Sequence, residues 1–98
     1  MAPFNTPSID RLFAALLQLQ NAEECQKFFE DICTIKEVQD MAQRLDAAIL
    51  LDGGAGYQQI SEQVGISTAT ISRVSKCLNY GSGGYRQTID RLKEEDAQ

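Results

Sequence analysis

Residues 57–78 read YQQISEQVGISTATISRVSKCL, and the glycine near their centre decides how they fold. On its N-terminal side Ile60 and Val64 are four apart, so a helix from Tyr57 to Val64 places both on one face. Gly65 supplies a residue free to take φ > 0, Ile66 turns inward between the helices, and Ser67 offers a side-chain oxygen to cap a second helix. That helix runs from about Thr68 to Leu78, with Ile71, Val74 or Ser75, and Leu78 as its core positions. Two helices of these lengths joined by a glycine turn make a helix-turn-helix.

Working outward, apolar residues recur at helical spacing on both sides, and the only glycine-rich segments are GGAG at 53–56 and GSGG at 81–84. The pattern predicts six helices and no strand. Thr6-Pro7 opens the first in cap-then-proline order, with Ile9, Leu12, Phe13, Leu16 and Leu17 as its stripe. Asn21 caps the second, which carries Cys25, Phe28, Phe29, Ile32 and Cys33. Thr34-Ile35-Lys36-Glu37 is a capping box. It starts a third helix reaching about Asp52, in which Val38, Met41, Ala42, Leu45, Ala48, Ile49 and Leu51 are expected to be mostly buried. A last helix, spanning 83–94 with its firm part from Tyr85, turns Ile89 and Leu92 inward.

A chain of 98 residues makes about one domain with a small core, which favours burial against a second subunit. We read 1–98 as a single domain: a helical dimerisation scaffold over 1–52, the helix-turn-helix over 57–78 and the C-terminal helix. The apolar fraction of 43% and charged fraction of 23% fit a globular protein. No apolar run is long enough for a membrane span, and MAPFNTPSIDRLF lacks the layout of a secretory leader. A cytoplasmic location is the expectation, with Cys25, Cys33 and Cys77 as buried, reduced thiols. Without histidine or a CxxC pair, no metal site is expected.

The net charge of −5 is unevenly spread. Residues 1–52 hold four cations (Arg11, Lys27, Lys36, Arg44) against nine anions, whereas residues 53–92 hold Arg73, Lys76, Arg86 and Arg91 against Glu62 and Asp90. Exposed charges are screened over about 10 Å, so the second half can meet phosphate while the first stays acidic.

In a helix-turn-helix the N-terminal part of the second helix enters the major groove and the first lies across the backbone. Ser67, Thr68 and Ala69 then lead, followed by Thr70, Ser72, Arg73 and Lys76. Small side chains let the helix approach base edges, hydroxyls reach phosphate or a base acceptor, and the cations neutralise the backbone. Gln58 and Gln59 are candidates for phosphate from the first helix. Tyr57 is assigned to packing, and Arg86 and Arg91 to a solvated face.

The segment from Thr34 to Leu78, with DICT, MAQRLDAAILLDGG and YQQISEQVGISTATISRVSKCL, resembles the tryptophan repressor superfamily, and within it the Trp repressor-related YerC/YecD type. The resemblance implies an all-α, six-helix fold in which N-terminal helices of two subunits interlock. It also implies a pseudo-palindromic operator with half-sites about 34 Å apart, and two arginines flanking an indole, matched here by Arg44 and Arg73. Thr34 and Thr70 match threonines of that pocket. Val74 stands where the repressors have glycine, and Cys77, a weak donor, where a serine helps hold the ligand carboxylate. These two changes together cost a few kcal/mol of ligand affinity.

The sequence therefore describes a homodimeric, sequence-specific transcription regulator, a repressor, that binds double-stranded DNA and requires no cofactor. Neither L-tryptophan nor another small ligand is expected to control it. The alternative is a helical dimeric protein-interaction module without DNA binding. With no histidine, no phosphate-binding glycine loop and no nucleophile paired with a base, the chain is not an enzyme.

Overall fold

The computed structural model describes residues 4–97, and these form six α-helices without a strand. They run α1 Pro7–Leu16, α2 Ala22–Ile32, α3 Ile35–Asp52, α4 Tyr57–Val64, α5 Thr68–Tyr80 and α6 Gly84–Ala97. Two compact units divide the chain between Val38 and Gln39.

In the first unit each helix starts on the residue that the sequence marks. Thr6 Oγ1 accepts from Ile9 N at 3.2 Å, and Asn21 Oδ1 accepts from Glu24 N at 2.9 Å. The capping box closes both ways: Glu37 N donates to Thr34 Oγ1 at 3.1 Å and Thr34 N donates to Glu37 Oε1 at 2.8 Å. Those bonds hold the Glu37 carboxyl below its ordinary value, because they favour the charged form. Neither α1 nor α2 contains a fully buried residue. Phe28 and Phe29 meet edge to face, with ring centroids 5.9 Å apart.

The second unit holds the core. Ala47 and Ala48 of α3, Ile60 of α4, Ile71, Val74 and Leu78 of α5 and Ile89 of α6 pack into one buried cluster, with Leu45, Leu50, Leu51, Ala55, Val64, Ile66 and Tyr85 around it. Ala47 and Ala48 present only methyl groups, so α3 can be fully covered there without large side chains holding its neighbours away.

Several expectations shift. α5 extends two residues past Leu78, where Asn79 Nδ2 donates to Ser75 O at 3.0 Å, so Gly81 ends the helix. α6 starts at Gly84 and continues to Ala97, because KEEDA offers good helix formers and no stop signal. On α3, Met41, Ala42 and Ile49 are exposed within the single chain, as is Leu92 on α6; an apolar stripe marks a face without saying what covers it. Tyr57 stands 41% exposed, only partly packed. Cys25 and Cys33 are half-buried and Cys77 is exposed, all three as free thiols.

Candidate nucleic-acid interface

The turn between α4 and α5 is built from three local interactions. Gly65 adopts φ 83° and ψ 32°, the left-handed region in which a side chain is strained. Its N–H donates to Ser61 O at 2.9 Å. Ser61 Oγ donates to Ile66 O at 2.6 Å, satisfying a carbonyl that the turn leaves without a helical partner. Ser67 then caps α5: its Oγ accepts from Thr70 N at 3.2 Å and lies 3.0 Å from Thr70 Oγ1. The role of Ser61 is absent from local sequence pattern, because the bond exists only once the glycine has turned the chain. Gln43 gives no local signal either; its Nε2 donates to Val64 O at 3.4 Å, 21 residues away.

The helical wheel of α5 separates two faces. At about 100° per residue, Thr68, Ala69, Ser72, Arg73 and Lys76 fall within an arc of about 140°. All five are exposed, while Ile71, Val74 and Leu78 on the far side are buried. From Thr68 to Lys76 the exposed face extends about 12 Å along the helix. Thr70 lies half-buried at the border with its hydroxyl engaged by Ser67. Gln58 and Gln59 are exposed on α4.

The cations of this unit fall into different environments. Arg86 contacts Asp52 at 2.5 Å and Asp90 at 3.8 Å, and Lys93 contacts Asp52 at 2.5 Å, so Arg86 belongs to an ion cluster and not merely to a solvated face. Among the described residues, no carboxylate lies within ion-pair distance of Arg73 or Lys76.

The residues matched to the indole pocket have separate engagements. Thr34, in the first unit, caps α3. Arg44 Nε donates to Asp40 O at 3.3 Å, one turn earlier on its own helix. Val74 is 3% exposed and part of the core, while Arg73 and Cys77 are exposed. A shallow groove of about 310 Å³ lies elsewhere, lined by Asp46, Ile49, Leu50, Gln63 and Val64. Among the described residues no group of three or more His, Cys, Asp and Glu is placed to hold a metal ion. None of their helices is long and apolar enough to cross a membrane.

Comparison with known proteins agrees with this geometry. The family profile described as Trp repressor protein matches residues 7–93. The uncharacterized protein YerC of Bacillus subtilis (strain 168) is 49% identical over 90 residues, covering 92% of this chain and 86% of YerC. A crystal structure of a TrpR-like protein from Eubacterium eligens ATCC 27750 matches with a TM-score of 0.89 and 43% identity, covering 92% of this chain and 93% of that one. A Staphylococcus aureus crystal structure also reaches a TM-score of 0.89, at 40% identity, covering 95% and 96% of the two chains. With its six helices, its helix-turn-helix and these relatives, the chain belongs to the Trp repressor family, one of regulatory DNA-binding proteins and not of enzymes.

Proposed function

We propose that this chain is a cytoplasmic, sequence-specific transcription regulator, a repressor, that binds a pseudo-palindromic operator as a homodimer through α4 and α5. The observation that carries the reading is the exposed arc of α5. Small polar and methyl-bearing side chains at Thr68, Ala69 and Ser72 lie beside Arg73 and Lys76, two cations without an ion-pair partner among the described residues. Such an arc presents base-reading groups and phosphate-neutralising groups together. Ser67 and Thr70 organise its leading end, where free N–H groups and the helix dipole favour phosphate. Gln58 and Gln59 extend the surface onto the backbone.

The homodimer is supported by the first unit. Leu12, Phe13, Leu17, Ile32 and Ile35 are between 36% and 82% exposed, more apolar surface than so short a segment leaves in water without a partner. Binding that needs no tryptophan is supported by Val74, whose side chain already occupies the core, and by the weak donor at Cys77.

Selection of bound duplexes from a random pool, with and without an amino-acid mixture, tests the reading. A palindromic consensus recovered without additions is the expected result. A consensus that appears only with tryptophan overturns ligand independence. No enrichment at low ionic strength overturns DNA binding, and leaves the helical protein-interaction module.

A further inference from the structure

Asp52 is the last residue of α3, where the helix dipole disfavours a carboxylate, yet its side chain is 11% exposed and bridges two cations of α6. Arg86 and Lys93 are seven apart, two turns on one face of that helix. The positions of these residues in the chain are informative. Asp52 immediately precedes the glycine segment 53–56, and Arg86 follows the glycine segment 81–84 by two residues. Gly54 and Gly83 take φ 93° and 94°, so each segment turns sharply. Everything between them is the helix-turn-helix.

We propose that Asp52, Arg86 and Lys93 form an electrostatic clasp that ties together the entry and exit of the helix-turn-helix and so fixes the angle at which α4 and α5 are presented. The core cluster holds α5 through Ile71, Val74 and Leu78 and holds α6 through Ile89. That packing is non-directional and does not by itself fix small rotations of α6 against α3. The clasp removes them, because one carboxylate can satisfy both cations at 2.5 Å only in a narrow range of α3–α6 geometries. Asp90 lies 3.8 Å from Arg86 and competes weakly for the same guanidinium. The Asp52 carboxyl is held below its ordinary value, first by the hydrogen bond from Lys93 and then by that from Arg86. In a dimer that spans two half-sites, head angle sets the half-site separation accepted. The three residues are thus positioning residues for spacing discrimination, a role that rests on the proposed DNA binding.

The test has two readouts. Without DNA, amide hydrogen exchange follows α6 in the wild type, in Asp52→Asn, and in a charge swap combining Asp52→Lys with Arg86→Glu and Lys93→Glu. Expected are about fivefold faster exchange in Asp52→Asn, similar acceleration of the wild type at about 1 M salt, and recovery in the swap. Unchanged exchange in Asp52→Asn overturns the clasp. With DNA, affinity for a selected operator is compared with affinity for the same operator lengthened by one base pair between half-sites. Asp52→Asn is expected to narrow that ratio by about threefold, and Asp52→Glu to restore it. An equal ratio in Asp52→Asn and wild type overturns the spacing role. If the wild type binds no duplex, the DNA-binding reading fails, and the exchange readout still decides whether the clasp exists.

Discussion

Ser67 Oγ lies 3.0 Å from Thr70 Oγ1 and also accepts the Thr70 backbone N–H at 3.2 Å. The leading end of the exposed arc is thus fixed before any ligand arrives. Ser67→Ala is expected to lower unfolding free energy by about 1 kcal/mol, the usual value of an N-cap. Ser67→Asp keeps the cap and adds a negative charge where phosphate is proposed to sit. In chemical denaturation it should match the wild type while duplex affinity falls. Equal stability of Ser67→Ala and wild type would mean that the cap contributes nothing.

Arg73→Ala and Lys76→Ala should leave the melting temperature within experimental error, since neither side chain has an ion-pair partner among the described residues. Each is expected to reduce the slope of log affinity against log salt by about 0.9, the loss of one phosphate contact. A shared loss of folding and binding would place these side chains in the packing and not on the DNA.

Ile60→Ala and Ile71→Ala remove side chains that are 0% exposed, so each should cost about 2–5 kcal/mol. L-tryptophan offers a contrasting test of Val74. A ligand that binds only the folded state stabilises it by about 2.7 kcal/mol at a hundred times its dissociation constant. Millimolar tryptophan is expected to leave the melting temperature of this protein unchanged.

Two carboxyls are expected to make the fold sensitive to acid. Asp52 is held below its ordinary 3.8 by Lys93 and Arg86, and Glu37 below its ordinary 4.5 by the Thr34 backbone and side chain. A depressed carboxyl contributes stability that is present above its unfolded value and lost as pH falls through its folded value. Melting temperature should therefore hold from neutrality down to about pH 5 and drop below pH 4. Asp52→Asn should flatten part of that drop, and Glu37→Gln another part.

Phe13 is 44% exposed and Leu17 82% exposed on α1. Phe13→Glu is expected to shift sedimentation equilibrium toward the monomer, with helicity falling at low concentration. A wild type that sediments as a monomer at all accessible concentrations would overturn the homodimer.

Local chemistry is the legible part of this molecule. Thr6, Asn21, Thr34, Gly65 and Ser67 each act within four residues of themselves, so their roles are written in the order of the chain, and helix starts can be read from them. The α5 arc is legible for the same reason, since one helical period separates Thr68, Ser72 and Lys76 from Ile71, Val74 and Leu78. Burial on α3 is legible only in part. Ala48 is sealed as its place on the apolar stripe predicts, but Ala47, off that stripe, is sealed too while Met41 and Ile49 are exposed, because the small residues admit a neighbouring helix of the same chain. Periodicity gives no ranking between the two. Asp52 and Arg86, 34 residues apart, are equally hidden, as ion pairs between distant helices leave no periodic trace.

Ser61 sets a limit for anyone who wishes to re-engineer the proposed DNA-binding surface. Its hydroxyl is spent on the Ile66 carbonyl, so a lysine introduced there for tighter DNA binding would strip the turn of its staple and misplace the helix it was meant to help. Gln58 is exposed and has no such duty among the described residues, so the same change there is expected to leave the turn intact. Under the proposed DNA binding, α4 offers one position for tuning affinity and withholds the other.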